Sequence, residues 1–370
     1  MELPMRWRKE LKNNITTLED LEKYIYISDQ DRKILADVIE LHPMSITRYY
    51  MSLIDRDNPN DPLLKMMVPS IDEMNTIGSY DTSGESDNTI LTGLQHKYSQ
   101  TALILSTNHC TAYCRFCFRK RMVGKSNEEI VSRFREAVSY IREHKEITNV
   151  LISGGDPFFL DTKVLKIFLD ELKDIEHLEF IRFGTRTPVV FPQRIYEDDE
   201  LVDYMSHYAN TYHKIYIVTH FNHSNEITPE AKRACSRLRN AGIIVQNQTV
   251  LSKGVNDDAA ILAALLSDLV KAGVLPYYVF QCRPVSRVKG HFQLSLKEGY
   301  EIVEKAKARL NGHGKGFRFI MSHVTGKIEI VGIIDDEIYL KYHQAKNPDN
   351  IGRLFKKKLT ENAAWFDDLE

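Results

Sequence analysis

The sequence predicts an α/β protein with parallel strands. From residue 101 onward, short apolar, β-rich runs alternate with amphipathic helical segments, the pattern of strands joined by helical crossovers. Polar and chemically unusual residues gather just after those strands or at their ends. No glycine fingerprint opens the first helix, as a dinucleotide-binding sheet would require. Six βα units fit either an open doubly wound sheet or an incomplete TIM-like barrel, and collection of the chemistry at one rim is what the C-terminal face of a barrel shows.

The first hundred residues are helical and irregular. "TTLEDLEKYI" and "SDQDRKILADVIELH" each offer a Ser/Thr/Asp start followed by apolar spacing of three and four. The predicted strands are "TALILSTNH", "TNVLISGGDP", "EFIRFGTRTP", "KIYIVTHFN", "GIIVQNQTVL" and "LPYYVFQCRP", separated by segments such as "NEEIVSRFREAVSYIREH" and "TPEAKRACSRLRNAG". A cysteine loop follows the first strand, Gly154-Gly155-Asp156-Pro157 the second and Gly184-Thr185-Arg186-Thr187 the third. His220, Asn222 and His223 follow the fourth, Asn247 and Gln248 lie on the fifth, and Gln281, Cys282 and Arg283 end the sixth.

Composition excludes several function classes. The chain is 43% hydrophobic and 27% charged, with 12 prolines and 18 glycines, an ordinary globular balance with ample core. Its formal charge of -2, from 49 basic and 51 acidic residues, offers no field for nucleic acid or a membrane surface. No apolar run approaches the ~20 residues of a spanning helix. Five cysteines without paired spacing beyond one cluster, and no N-terminal apolar leader, lead us to expect a cytoplasmic protein without disulfides. The expected partner is a small molecule.

The cluster is "CTAYCRFCFRKRMVG", residues 110–124, with Cys110, Cys114 and Cys117 beside four basic side chains. Four cysteines would close a structural metal site, whereas three leave one position open. Cys235 and Cys282 stand alone in apolar segments, where a cysteine is a small hydrophobe. An iron–sulfur cluster on three thiolates can chelate the amino and carboxylate groups of a small ligand, and S-adenosylmethionine carries both. The spacing C-x3-C-x2-C after a strand and before a helix resembles the signature of the radical S-adenosylmethionine superfamily. In that superfamily a [4Fe–4S] cluster cleaves S-adenosylmethionine to a 5′-deoxyadenosyl radical, the cofactor carrying the chemistry and the protein the positioning. The resemblance implies that Tyr113 stacks near the adenine, and that the Gly154-Gly155-Asp156 turn meets the methionyl amine. The plainer readings are a loop-packing aromatic and an Asp-capped βα turn.

"CRFCFRKR", "ISGGDPFFL", "GTRTPVVFPQRI", "THFNHSNEIT", "NQTVLSKGVND", "GVLPYYVFQC" and "GHF" resemble, in order and spacing, the lysine 2,3-aminomutase family across residues 90 to 345. This implies an incomplete (βα)6 barrel with a helical N-terminal region over 1–95, a partial barrel over 96–295 and a short C-terminal α/β segment over 296–370 that closes the barrel. It also implies migration of an α-amino group to the β-carbon of an amino acid with pyridoxal 5′-phosphate alongside the cluster. By motif, Arg119 would pair with the substrate carboxylate, Arg186, His220, Asn222 and Gln248 would line the cofactor pocket, and Lys327 would be the Schiff-base lysine. A one-electron reductant such as flavodoxin or ferredoxin and a homo-oligomeric state are implied as well.

The chain departs from the family in ways that bear on substrate. Where the lysine enzymes carry "QCD", one of two carboxylates that hold the substrate ammonium, this chain reads "QCRPVSRVKG". Arg283 would therefore repel an ammonium and bind an anion. The second acid, expected just before Lys327, is missing from "FRFIMSHVTGK", and Lys97 and Thr101 occupy the places of two phosphate-holding arginines. We expect aminomutation of an amino acid other than free lysine, or of an anionic metabolite. The alternatives are a radical epimerase, dehydrogenase or rearrangement enzyme without pyridoxal phosphate, and a non-catalytic iron–sulfur or zinc protein. For Lys327 the plain reading is a solvated strand face shared with Glu329; for Arg283 it is an outward surface pair.

Overall fold

The computed structural model describes residues 6–370. Among the described residues, twelve strands form one sheet whose hydrogen-bonded order follows the chain from β1 to β12. β1 (Thr89–Leu91) and β2 (Leu94–Tyr98) form an antiparallel hairpin, and β2 runs antiparallel to β3 (Thr101–Thr107). From β3 the strands are parallel: β4 (Asn149–Gly154), β5 (Phe180–Gly184), β6 (Lys214–Thr219), β7 (Ile244–Leu251), β8 (Leu275–Gln281) and β9 (Arg318–His323). β10 (Gly326–Ile334), β11 (Glu337–Ala345) and β12 (Leu354–Lys358) complete the sheet as antiparallel neighbours. The ends of this order, β1 and β12, do not pair, so the parallel run is an incomplete, TIM-like barrel.

The six expected strands are β3 to β8. β9 adds a seventh parallel strand, hidden in the sequence because "RFIMSH" runs almost directly into the next strand through a two-residue connection. β2 straddles residue 95, and residues 296–370 add one helix and β9 to β12 to the same sheet. Lys97 crosses the open seam, its Nζ donating to Ser83 O at 3.1 Å and to His323 O on β9 at 2.7 Å.

Crossover helices follow from the apolar spacing. Phe134–Glu143 buries Ala137, Val138 and Ile141, and Ala259–Lys271 buries Leu262, Leu265, Leu266 and Leu269, one apolar stripe each. Asp258, Thr228 and Ser295 cap helix starts with their side-chain oxygens. The strands alternate: β5 buries Ile181 and Phe183, while Phe180, Arg182 and Gly184 take the half-accessible face. β7 alternates in the same way. A doubly covered parallel strand reads as a continuous apolar run; alternation here marks a cavity on the inner face.

The N-terminal helices cover the rim that carries the loops. Asn14 Nδ2 donates to Thr111 O, Tyr113 N to Ser45 O and Arg115 N to Met66 O, each at 2.8 Å. The cysteine loop is thereby hydrogen-bonded to three separate points of the N-terminal region. Arg115 continues through the wall into a buried triad with Glu73 and Lys120. No helix among the described residues is long and apolar enough to cross a membrane.

Candidate active site

The ends of the parallel strands surround a cavity of about 340 Å³. Cys110, Cys114 and Cys117 line it, half-buried and without disulfide partners. Burial drives the Cys110 thiol well up and the Cys117 thiol up to about 11, and each thiolate's neighbours in the trio push the same way. Two buried thiols raised in this way need a cationic centre beside them to deprotonate, the condition a metal cluster meets.

Gly154 and Gly155 line the cavity. A Cβ on Gly154 would meet Thr107 O at 2.4 Å, and one on Gly155 would meet His109 O at 2.2 Å. Gly154 also has a φ of +115°, so only glycine lets β4 end this close to the segment leading into Cys110.

Three expected contacts are built differently. The Asp156 carboxylate accepts from Phe158 N and Thr185 Oγ1 on one oxygen, and from Arg186 N and Thr187 Oγ1 on the other. Four protein donors use its acceptor capacity, so it clamps the loop after β4 to that after β5 and leaves no oxygen for an ammonium. Tyr113 is absent from the cavity lining; its ring lies where a Cβ on Gly124 would stand, 2.7 Å from Tyr113 Cε2, and its hydroxyl meets His109 Nδ1. Asn222 is also absent from the lining, because its Oδ1 accepts from Val250 N at 2.8 Å and ties the loop after β6 to β7.

Arg186, His220 and Gln248 do line the cavity. Arg186 donates from Nη1 to Cys114 Sγ at 2.6 Å and from Nη2 to Glu226 Oε1 at 2.5 Å. His220 is half-buried, edge-on to Phe116 at 5.4 Å. Burial, with Arg186 nearby, pushes its imidazole down to about 3, so it is neutral at pH 7, and its Nε2 has no protein partner.

Arg119 is on the wall, but its guanidinium is committed within the chain. Nε and Nη2 bind Glu85, and Nη1 donates to Ser153 Oγ and Gly154 O. Glu85 thus holds the Arg119 guanidinium where the resemblance implies a substrate carboxylate.

The cavity otherwise contains four cations on neutral partners. Lys97 donates to two carbonyls, Arg182 to Asn149 Oδ1 at 2.6 Å, Arg283 to Ser322 Oγ at 2.8 Å and Lys327 to Gln344 Oε1 at 2.8 Å. All four line the cavity, whose carboxylates are Glu85 and Asp156, both engaged as above. Arg283 Nη1 and Arg182 Nε are buried with no partner. Burial, with Arg283 and Lys346 beside it, lowers Lys97 to about 7. Burial lowers Lys327 to about 7 as well, with Arg182, Lys97 and Arg283 adding to the effect. Lys327 therefore lies inside, between the rings of Tyr98 and Tyr278 at 5.4 and 5.3 Å, and is not on a solvated strand face. Arg283 likewise points inward, over the Phe118 ring at 4.4 Å.

Sequence reasoning missed Arg182 and Glu85. Arg182 had a signal, a charge in mid-strand on the face opposite Ile181 and Phe183. Glu85 had none, being one acid in a polar loop.

Open barrel, three-cysteine loop and enclosed cavity define a radical S-adenosylmethionine enzyme. A profile of the radical SAM superfamily matches residues 104–266. A protein of Aquifex aeolicus, provisionally named as an L-lysine 2,3-aminomutase, is 41% identical over 94% of this chain and 93% of its own length. The L-lysine 2,3-aminomutase of Clostridium subterminale is 39% identical over 84% of this chain and 73% of its own, and the glutamate 2,3-aminomutase of Clostridioides difficile is 36% identical over 83% and 71%. The chain belongs to the lysine 2,3-aminomutase family of radical SAM enzymes, an isomerase-type family, and the superfamily implies a [4Fe–4S] cluster and S-adenosylmethionine.

Proposed function

We propose that this enzyme moves an amino group between adjacent carbons of an amino acid whose side chain is anionic or neutral, and that free lysine is not its substrate. The observation that carries this reading is the set of four cavity cations resting on neutral acceptors, with Arg283 Nη1 buried and unpaired. A buried charge without a counter-ion is unfavourable, and an anionic ligand would supply one. A second ammonium, as in lysine, would find no free carboxylate on the wall. The naming of one relative as a glutamate 2,3-aminomutase accords with this reading.

In this proposal Cys110, Cys114 and Cys117 hold the cluster, and the Gly154–Gly155 backbone admits S-adenosylmethionine beside it. Arg186, His220 and Gln248 border the same space. Lys327 is the attachment point for pyridoxal phosphate, with its amine lowered toward neutrality and Lys97 and Arg182 at hand for an anionic group. When bound, the cluster and S-adenosylmethionine supply hydrogen abstraction, and pyridoxal phosphate supplies electron delocalisation at the migrating nitrogen. Arg283 orients the substrate's distal anionic group by a planar, two-donor contact. Phe116, Phe118, Val285 and Val288 keep water from the reacting carbons. The small-molecule substrate is joined by a one-electron reductant such as flavodoxin or ferredoxin.

The test is anaerobic reconstitution followed by a screen of acidic, neutral and basic amino acids for deoxyadenosine and β-amino acid products. Acidic or neutral substrates are expected to give both. Efficient turnover of free lysine would refute the substrate assignment, and deoxyadenosine without amino migration would refute aminomutation.

A further inference from the structure

Arg186 connects the cysteine loop to a carboxylate that the cavity does not see. Its Nη1 donates to Cys114 Sγ, and its Nη2 donates to Glu226 Oε1. Glu226 is fully buried and held from behind: Tyr50 OH donates to the same Oε1 at 2.7 Å, and Asn222 N and His223 N donate to Oε2. The rest of the guanidinium's surroundings are weakly polar. Met67 Sδ is 3.3 Å from Nη1, and the rings of Phe116 and Tyr50 are 5.2 and 5.6 Å away. Arg186 is 7% exposed and its backbone N is anchored on Asp156, so both ends of the side chain are immobilised.

A fixed positive charge in low-dielectric surroundings acts strongly on a neighbouring sulfur, and hydrogen bonds to cluster sulfurs are a principal determinant of cluster potential. We infer that Arg186 sets the reduction potential of the cluster through the Cys114 sulfur, and that Glu226 moderates it. Reduction adds one electron to the cluster from an external one-electron donor, with no bond or proton transferred. The added negative charge is stabilised by the Arg186 N–H donor and raised in energy by the Glu226 carboxylate behind it. Arg186 is thus a tuning residue acting through Cys114. The inference rests on the assignment of the cluster to Cys110, Cys114 and Cys117.

The test is an EPR-monitored redox titration of the reconstituted full chain, without S-adenosylmethionine or substrate, alongside iron and sulfide analysis. Arg186→Gln removes the positive charge and is expected to shift the midpoint to a more negative value. Glu226→Gln removes the negative charge and is expected to shift it the opposite way, while Arg186→Lys restores part of the Arg186→Gln change. Unchanged midpoints in variants holding full iron, or shifts of the same sign in both Gln variants, would overturn the inference. If Arg186→Gln fails to hold iron, the sign of the Glu226→Gln shift decides. Loss of the cluster from both variants would assign the pair a purely structural role and also overturn it. Absence of iron and signal from the unmodified protein would instead refute the cluster assignment.

Discussion

Arg119 and Glu85 form a buried ion pair: Arg119 Nε and Nη2 reach Glu85 Oε1 at 3.0 and 2.8 Å, with both side chains 6% exposed. Arg121 takes the other oxygen at 2.6 Å, so one carboxylate serves two guanidiniums. Removing one partner of a buried pair leaves an uncompensated charge worth ~3–5 kcal/mol. Glu85→Gln is expected to lose stability on that scale in urea denaturation. A loss below ~1 kcal/mol, the range of an exposed pair, would show that this wall is more solvated than its geometry indicates.

The Glu73 triad gives the protein an acid limit. Burial disfavours the carboxylate, but Arg115 and Lys120 outweigh it and hold Glu73 at about 2, against an ordinary 4.5. Stability from this group is fully present above 4.5 and is lost as pH falls from there through about 2, because the unfolded chain takes up its proton first. Glu73→Gln should flatten the pH dependence of unfolding across that window and destabilise the fold at pH 7. Since Arg115 is in the cysteine loop, iron retention after reconstitution should fall too. An unaltered acid limb in the variant would dispose of this account.

Arg283 is the substrate-facing prediction. A charge-assisted hydrogen bond contributes ~1.5–3 kcal/mol, so Arg283→Asp should raise the KM of an anionic substrate at least about tenfold. Loss of kcat alone, with KM unchanged, would place Arg283 outside the binding contact.

Lys327 should titrate within the cavity. Between about 7 and its ordinary 10.5 the unfolded chain holds a proton that the folded one lacks, so stability from this group rises with pH across that window. Lys327→Met should therefore be stabilising near neutrality, by ~1 kcal/mol or more, and should reduce that slope. Borohydride should fix pyridoxal phosphate to Lys327 with a yield that rises through pH 7. A yield that rises only near pH 10 would mean the amine is solvated.

The crossover pattern and the cysteine loop were legible because both are local. Period-2 strands and period-3.6 helices declare themselves within about ten residues, and Cys110, Cys114 and Cys117 share one loop. Glycine at 154 and 155 was legible for the same reason, as a turn where backbones close in. Asp156, Tyr113 and Asn222 were each assigned to ligands and are each used by the protein, since a polar side chain at a strand end looks alike from sequence whether it faces the cavity or a neighbouring loop.

What the sequence determined by itself was a run of parallel strands with helical crossovers, a three-cysteine loop at the rim that collects the polar residues, and an arginine, Arg283, at the end of the sixth strand. What tertiary structure alone decided was pairing across distance: Glu85 with Arg119, 34 residues apart, Arg186 with Cys114, 72 apart, and Lys97 with His323, 226 apart. The physical reason is that periodicity gives which face of an element a side chain takes, but not what stands opposite. That depends on the register of strands and loops brought together only on folding, and it leaves Arg119 paired with a carboxylate and Arg283 on the neutral Ser322 in one cavity.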